Sequence, residues 1–455
     1  MEGRLLSAVE AITRQPAFDG ARWGVCAQRR GGTSPADDLI DLNADTFFTP
    51  ASNTKLYTVA AAQARLGVEA TLPTTLRLES PEGGSGPTLT LRGGGDPTLT
   101  YAQLEAAAVA VAPRLAGGAA VTVAVDVSAF GPSAVPPAWD FDYVSTVSGV
   151  VPSAVVIDRN TMRLTVHPAA EAGAPAVLAW EHPEADDAVE VVNTVESSDG
   201  KATAVTANYA ISGGGVVLRV SGSIATGSEP VVLQVPTLRP DSRAGLLLAE
   251  ALRSAGVETA PDVTVVERPA EPEGELLHTI TSPPLGEILR DCMRPSDNLY
   301  AECLLRLLGE PGDAIVETAQ AAVSAETAEA GVDPRRLRLL DGSGMCAKNW
   351  VCPRASIQLL QGKAGDETFS GFLPVAGRHG TLAARFHGTP AEGVLAAKTG
   401  TLGGVACLSG YYRDVVFSIM VNNVVHAAAH EDIVEAVDAV ALALCEAAGS
   451  SSSKL

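Results

Sequence analysis

The feature that most restricts this chain is a change of texture a short way in and a change back later. From about residue 72 to 280 the sequence is rich in Val, Thr, Gly and Pro, and apolar and polar residues alternate. Leu76-Arg77-Leu78, Leu89-Thr90-Leu91 and Val216-Val217-Leu218-Arg219-Val220 are examples. A period of two with frequent turn residues predicts strands. On either side the spacing is helical. Leu5, Val9 and Ile12 share one face, Thr49 to Arg65 reads as a helix with Pro50 at its start, and 284–292, 299–308 and 314–331 follow suit. Trp23 to Ala27 reads as a short strand. Near the end, Gly404–Tyr412 and Val415–Asn422 read as two strands joined at Arg413-Asp414. The stretch Glu431 to Ala448 places Ile433, Val434, Val437, Val440, Ala441 and Leu444 on one helical face. Residues 260–275 read as a connecting return segment. A chain of 455 residues exceeds one ordinary core. The expected architecture is therefore α/β (α+β). The ends, 1–71 and 281–455, form one domain, and 72–280 is a β-rich insertion, itself subdivided into two nested domains.

Charge and cysteine usage exclude several classes. A formal net charge of −21 repels a phosphate backbone and argues against a nucleic-acid partner. The seven cysteines, Cys26, Cys292, Cys303, Cys346, Cys352, Cys407 and Cys445, are odd in number and contain no CxxC pair. They predict buried free thiols, which suit a reducing compartment, and neither a disulfide framework nor a zinc ribbon. His426 and His430 are spaced i, i+4, but no Glu follows the first, so the HExxH zinc pattern is absent. No metal or cofactor is expected. No run approaches the ~18 apolar residues of a membrane span. The first twenty residues lack the apolar core of a signal peptide. Ser453-Lys454-Leu455 matches the peroxisomal address and predicts that location in a eukaryotic source. In any other source the expectation is a cytoplasmic or a processed extracytoplasmic protein.

Three short motifs stand in order: Ser52-Asn53-Thr54-Lys55, Ser296-Asp297-Asn298 and Lys398-Thr399-Gly400. On a helix, positions i and i+3 share a face, so the Lys55 amine can reach the Ser52 hydroxyl and, held neutral by burial, accept its proton. The helix N-terminus favours the negative charge that develops there. Ser296 can bridge a proton between Lys55 and a leaving amine, and Asn298 can meet both Lys55 and a substrate amide. Lys398 and Thr399 at a strand edge can bind a carboxylate, while Gly400 lets a substrate backbone approach. Each motif alone has a plainer reading: a solvated helix face, a helix cap, a turn before a strand.

Together and in this order they form the set found in penicillin-binding proteins and class A β-lactamases. The wider chain resembles the low-molecular-mass class C penicillin-binding proteins, the serine D-Ala-D-Ala carboxypeptidases and endopeptidases. The resemblance rests on Pro50 to Leu56, Gly95-Asp96-Pro97-Thr98-Leu99, Val156 to Asn160 and Leu340-Asp341-Gly342-Ser343-Gly344. It continues through Leu373 to Gly377, Gly380-Thr381-Leu382, Ala397 to Leu402 and Ser409-Gly410-Tyr411. The long interval between Ser52 and Ser296 also fits, because simple β-lactamases carry no insertion there. Two places depart from the pattern: Met345-Cys346-Ala347-Lys348 replaces a Leu-Ser-Arg type continuation, and Arg378-His379 replaces a Val-Asp type pair.

The resemblance implies a transpeptidase-like domain interrupted by the insertion, and a serine carboxypeptidase acting on D-Ala-terminated peptides or muropeptides through an acyl-enzyme. It implies Ser52 as nucleophile with Lys55 as base, backbone N–H groups of Ser52 and Thr401 around the oxyanion, and Lys398 and Thr399 on the terminal carboxylate. It implies β-lactams as inhibitors, and Asp142 as a contact for a cationic side chain of the stem peptide. A β-lactamase, an esterase or a D-amino-acid amidase would use the same motifs, and a non-catalytic binder would keep the same fold.

Overall fold

The computed structural model describes residues 2–79, 86–137, 139–186, 189–200, 202–267, 274–425 and 430–449. His426 and Ser453-Lys454-Leu455 lie outside these. The chain divides into two compact units. The first takes Met1–Ala70, Pro284–Glu310 and Val316–Leu455, and the second takes Thr71–Pro283 with Pro311–Ile315.

The first unit is built on an antiparallel five-stranded sheet. Its strands, in spatial order, are Ala396–Leu402, Val405–Tyr412, Val415–Asn422, Arg22–Arg29 and Asp38–Leu42. Val405–Tyr412 and Val415–Asn422 are buried along their whole length. This is why they read as near-continuous apolar runs: a strand covered on both faces loses its alternation. One face carries the terminal helices Glu2–Thr13 and His430–Gly449. Leu5, Val9, Ile433, Val437, Val440, Ala441 and Leu444 form a core there with Phe417, Ile419 and Val421. Against the other face packs the helix Pro353–Gly362, whose Leu360 carbonyl accepts from the Tyr411 hydroxyl at 2.8 Å. The helices Thr54–Leu66, Leu285–Met293 and Asn298–Arg306 pack on one another, and the strand Ala396–Leu402 meets the turn Ala51–Asn53, so the three motifs fall in one unit.

The second unit holds a five-stranded sheet ordered Thr259–Val266, Val121–Asp126, Thr88–Arg92, Pro73–Glu79 and Glu275–Thr281. Two three-stranded sheets share a further core around Leu164, Leu218, Val220 and Val235. Two sequence expectations need correction. Thr259–Val266 is a strand, paired parallel to Val121–Asp126, and not a return segment. Its register shifts between Thr259 and Val263, where Pro261 and Asp262 stand, and that irregularity hid the alternation. The β-textured middle also contains two fifteen-residue helices, Tyr101–Leu115 and Pro240–Ser254. Both had start signals. Thr100 and Gln103 form a reciprocal capping box, and Pro240 stands in the first turn of the second helix. All seven cysteines are free and buried.

Candidate active site

Ser52 sits in a single 3-10 turn, Ala51–Asn53, which runs directly into the helix Thr54–Leu66. Ala51 has φ +47°, and the Asn53 N–H donates to the Pro50 carbonyl at 3.1 Å. Two glycines make room for this turn. A Cβ on Gly344 would lie 1.9 Å from the Ala51 carbonyl oxygen, and one on Gly400 would lie 2.6 Å from that of Pro50. Gly344 also has φ +89°, a conformation that side chains rarely adopt. On the side of Gly400 that a side chain would take stand Pro50 and Asn53, so the missing side chain seats the turn that presents Ser52.

One helical step on, Lys55 is fully buried while Ser52 is half-buried. The Lys55 ammonium nitrogen has three oxygens in range: Ser52 Oγ at 3.0 Å, Asn298 Oδ1 at 2.6 Å and the Ser343 carbonyl at 2.6 Å. Asn298 is delivered by the first turn of its helix, which Asp297 caps by accepting from the Tyr300 N–H at 3.1 Å. The cap predicted as the plainer reading of this motif is therefore present, and it orients the functional candidate beside it. Burial holds the Lys55 amine below its usual range, opposed by Cys292, Asp341, Asp297 and Glu302.

Lys398 comes from the strand at the sheet edge and is also fully buried. Its Nζ donates to Ser296 Oγ at 2.8 Å and to the Thr399 carbonyl at 2.9 Å. Burial pushes its amine well below the ordinary lysine range, and the neighbouring Lys55 charge adds to that. Ser296 has φ +67°, a backbone state that a serine adopts only where its surroundings hold it. Thr399 Oγ1 meets Thr381 Oγ1 at 2.7 Å, and Thr401, two residues along, is exposed. Ser52, Lys55, Asn298, Ser296, Lys398 and Thr399 thus line one locality, joined through Lys55 and Lys398. Asp142 belongs to the other unit. It is an exposed residue in the first turn of the short helix Phe141–Val144 of the second unit.

The arrangement also contains residues that the motifs did not single out. Ser343 contributes a carbonyl, which no side-chain pattern reveals. Thr381 stood in a recognisable block but carried no role. Glu302 and Asp341 are buried carboxylates that accept from the backbone of the turn 341–346. Among the described residues, no group of His, Cys, Asp and Glu is arranged to hold a metal ion.

The D-Ala-D-Ala carboxypeptidase 3 (S13) family matches residues 5–444. A D-alanyl-D-alanine carboxypeptidase of Actinomadura sp. (strain R39) is 34% identical, over 97% of this chain and 84% of that protein. Penicillin-sensitive carboxypeptidase A of Dictyostelium discoideum is 26% identical, over 93% and 87%. Among solved structures, penicillin binding protein 4 (dacB) from Haemophilus influenzae superposes with a TM-score of 0.77 at 24% identity, covering 92% of this chain and 93% of that one, which establishes a shared fold. A match over nearly the whole sequence, together with a relative of this similarity, makes the chain a member of the D-Ala-D-Ala carboxypeptidase 3 (S13) family of serine peptidases.

Proposed function

We propose that this member of the family removes D-Ala from D-Ala-terminated stem peptides through an acyl-enzyme on Ser52. The observation that carries the reading is the environment of Lys55 Nζ. A neutral amine has two N–H donors and one lone pair. Asn298 Oδ1 and the Ser343 carbonyl have no hydrogen to give, so they take both donors. The lone pair is left for the Ser52 hydroxyl at 3.0 Å. Burial favours that neutral form.

Ser52 Oγ bonds to the carbonyl carbon of the penultimate residue as its proton passes to Lys55 Nζ. The carbonyl electron pair moves to oxygen, where the N–H groups of Ser52 and Thr401 stabilise it. When the pair returns, the C–N bond breaks. Ser296 then gives its proton to the departing D-Ala nitrogen and recovers one from Lys55. Water next adds to the ester carbon, delivers its proton back through Lys55, and Ser52 Oγ leaves as the hydroxyl. Lys398 and Thr399 hold the terminal carboxylate of the substrate, with Asn298 on the amide. The Haemophilus influenzae protein has been seen complexed with a β-lactam. A β-lactam carries a carboxylate and a strained amide of the same layout, and it inhibits here by acylating Ser52. Asp142 is proposed as the contact for a cationic stem-peptide side chain.

The test is incubation with a fluorescent penicillin, peptide mapping by mass spectrometry, and an assay of D-Ala release from a D-Ala-D-Ala peptide, with Ser52→Ala as control. The expected result is an adduct on the Ser52 peptide and D-Ala release, both lost in the variant. An adduct elsewhere, or release that survives Ser52→Ala, would sink the reading. Fast turnover of nitrocefin without D-Ala release would assign the site to a β-lactamase instead.

A further inference from the structure

The turn Asp341–Gly344 presents its Ser343 carbonyl to Lys55 Nζ at 2.6 Å. That carbonyl and the Gly344 N–H belong to one peptide unit. The Gly344 N–H donates to Asp341 Oδ1 at 2.9 Å. A continuous line therefore runs from the Asp341 carboxylate through a planar, polarisable peptide to the Lys55 amine. A negative charge on the N–H end of a peptide strengthens its carbonyl as an acceptor. The neighbouring peptide repeats the device with a different outcome. Its Ser343 N–H donates to Glu302 Oε1 at 3.0 Å, and its Gly342 carbonyl accepts from the Thr58 hydroxyl at 2.9 Å. Glu302 therefore anchors the turn to the helix that bears Lys55, while Asp341 addresses Lys55 itself.

Asp341 is fixed from several sides. Its Oδ2 accepts from the Cys346 N–H at 2.7 Å, and its Oδ1 also accepts from Asn349 Nδ2 at 2.7 Å. The Asn349 amide cannot be reversed, because its Oδ1 accepts from the Leu340 N–H at 2.6 Å. Both Asp341 and Asn349 are buried. Donors on both oxygens offset the cost of burying this carboxylate and hold it in one orientation, with Oδ1 on the Gly344 N–H.

Resting on the reading of Lys55 as the base, we propose that Asp341 is a positioning residue for Lys55, acting through the Ser343–Gly344 peptide unit, and that Asn349 holds it in line. It fixes the second acceptor that steers the amine's lone pair toward Ser52, and it raises the proton affinity of that amine. The charged and titratable groups around Lys55 come from four places. They are Cys292 on the helix Leu285–Met293, Asp297 and Glu302 at and within the helix Asn298–Arg306, Asp341 on the turn, and Lys398 on the edge strand. Only Asp341 carries its charge to Lys55 along a bonded peptide.

The test measures single-turnover acylation by nitrocefin against pH for the full chain, Asp341→Asn and Asn349→Ala, with thermal melts of each. In Asp341→Asn the plateau is expected to fall about tenfold, and the acid limb to move to lower pH by roughly one unit, since a nearby negative charge that favours the cation has gone. In Asn349→Ala the plateau falls but the limb stays, because the charge remains. A wild-type plateau and limb in Asp341→Asn overturns the proposal. So does a lowered plateau with an unmoved limb, which marks a structural role alone, or an equal limb shift in Asn349→Ala. If Asp341→Asn does not fold, Asn349→Ala decides, and an unchanged plateau there overturns it. A wild-type profile with no acid limb, or acylation that survives Ser52→Ala, refutes the base reading instead.

Discussion

Gly400→Ala is the sharpest single perturbation of this site. The strand Ala396–Leu402 meets the Pro50–Asn53 turn at Gly400, and a Cβ there would stand 2.6 Å from the Pro50 oxygen, 3.0 Å from Asn53 Nδ2 and 3.2 Å from Asn53 N. Ordinary van der Waals contact begins at 3.4 Å, so the strand and the turn must separate by up to 0.8 Å. Two of the three obstructing atoms are backbone, and neither can rotate away. Overpacking of this kind costs about 1–3 kcal/mol. For a unit this size that lowers Tm by about 2–4 °C per kcal/mol. The effect on function is expected to be larger than the effect on stability. The displacement lies between Ser52 on one side and Lys398, Thr399 and Thr401 on the other, and a misplacement near 1 Å costs about a hundredfold in rate. Gly403→Ala is the control, because nothing stands within 4 Å of its Cβ position. Acylation by fluorescent penicillin and D-Ala release are measured for both variants beside calorimetric melts. Gly400→Ala with a wild-type acylation rate would refute the claim that this contact sets the geometry of the nucleophile turn.

Four further outcomes follow from the same geometry. Lys55→Met removes the proposed base and is expected to slow acylation by about 10²–10⁴ without lowering Tm, read by penicillin labelling and calorimetry. The acid limb of kcat/KM falls below the ordinary lysine value of 10.5, because Lys55 must be neutral to act and burial lowers its affinity for the proton; activity rises with pH through that limb in a pH–rate profile. Lys398 supplies a stability slope of known sign: its folded-state affinity is depressed, so the unfolded chain takes up the proton first, and the stability present above 10.5 is lost as pH falls toward the lowered folded value. Lys398→Met removes that slope in urea titrations across pH. Arg354→Met strips the buried guanidinium from Asp38, Asp41 and Asp45 and is expected to cost about 3 kcal/mol in the same titrations with little change in acylation rate, since none of these residues is a hydrogen-bond partner of Lys55 or Lys398.

What could be read from the sequence follows what each signal physically encodes. Ser52 and Lys55 were legible because a helix fixes i and i+3 on one face. The terminal amphipathic helix was legible because Ile433, Val437, Val440 and Leu444 bury one stripe. Tyr101–Leu115 was missed because Ala and Val dominate it, and an Ala-rich helix gives little contrast between its faces. Thr259–Val266 was missed because a bulge breaks its period. The Ser343 carbonyl lay beyond any reading by residue type, since every residue has one and only the path of the turn aims it. Asp341, Glu302 and Asn349 escaped for a related reason. Their contacts with the turn run to backbone amides of 340, 342, 343, 344 and 346, which residue spacing does not announce; the Glu302–Arg306 pair at i, i+4 was the one side-chain spacing among them open to reading.

The two lysines explain why so much of this unit is arranged around one cleft. Each is fully buried, and among the described residues neither is hydrogen-bonded to a carboxylate; their acceptors are hydroxyls, an amide and backbone carbonyls. Neutral acceptors of this kind stabilise an ammonium less than an ion pair does, so they leave Lys55 free to lose its proton and Lys398 without a counter-ion of its own. On the mechanism proposed above, a substrate carboxylate arriving at Lys398 and Thr399 supplies that charge. It then favours the protonated form of Lys398 at the moment of binding, against the burial that holds that amine low. On this reasoning a substrate whose terminal carboxylate is amidated leaves Lys398 without that partner, and its expected loss in a D-Ala-release assay is in affinity, read as a raised KM.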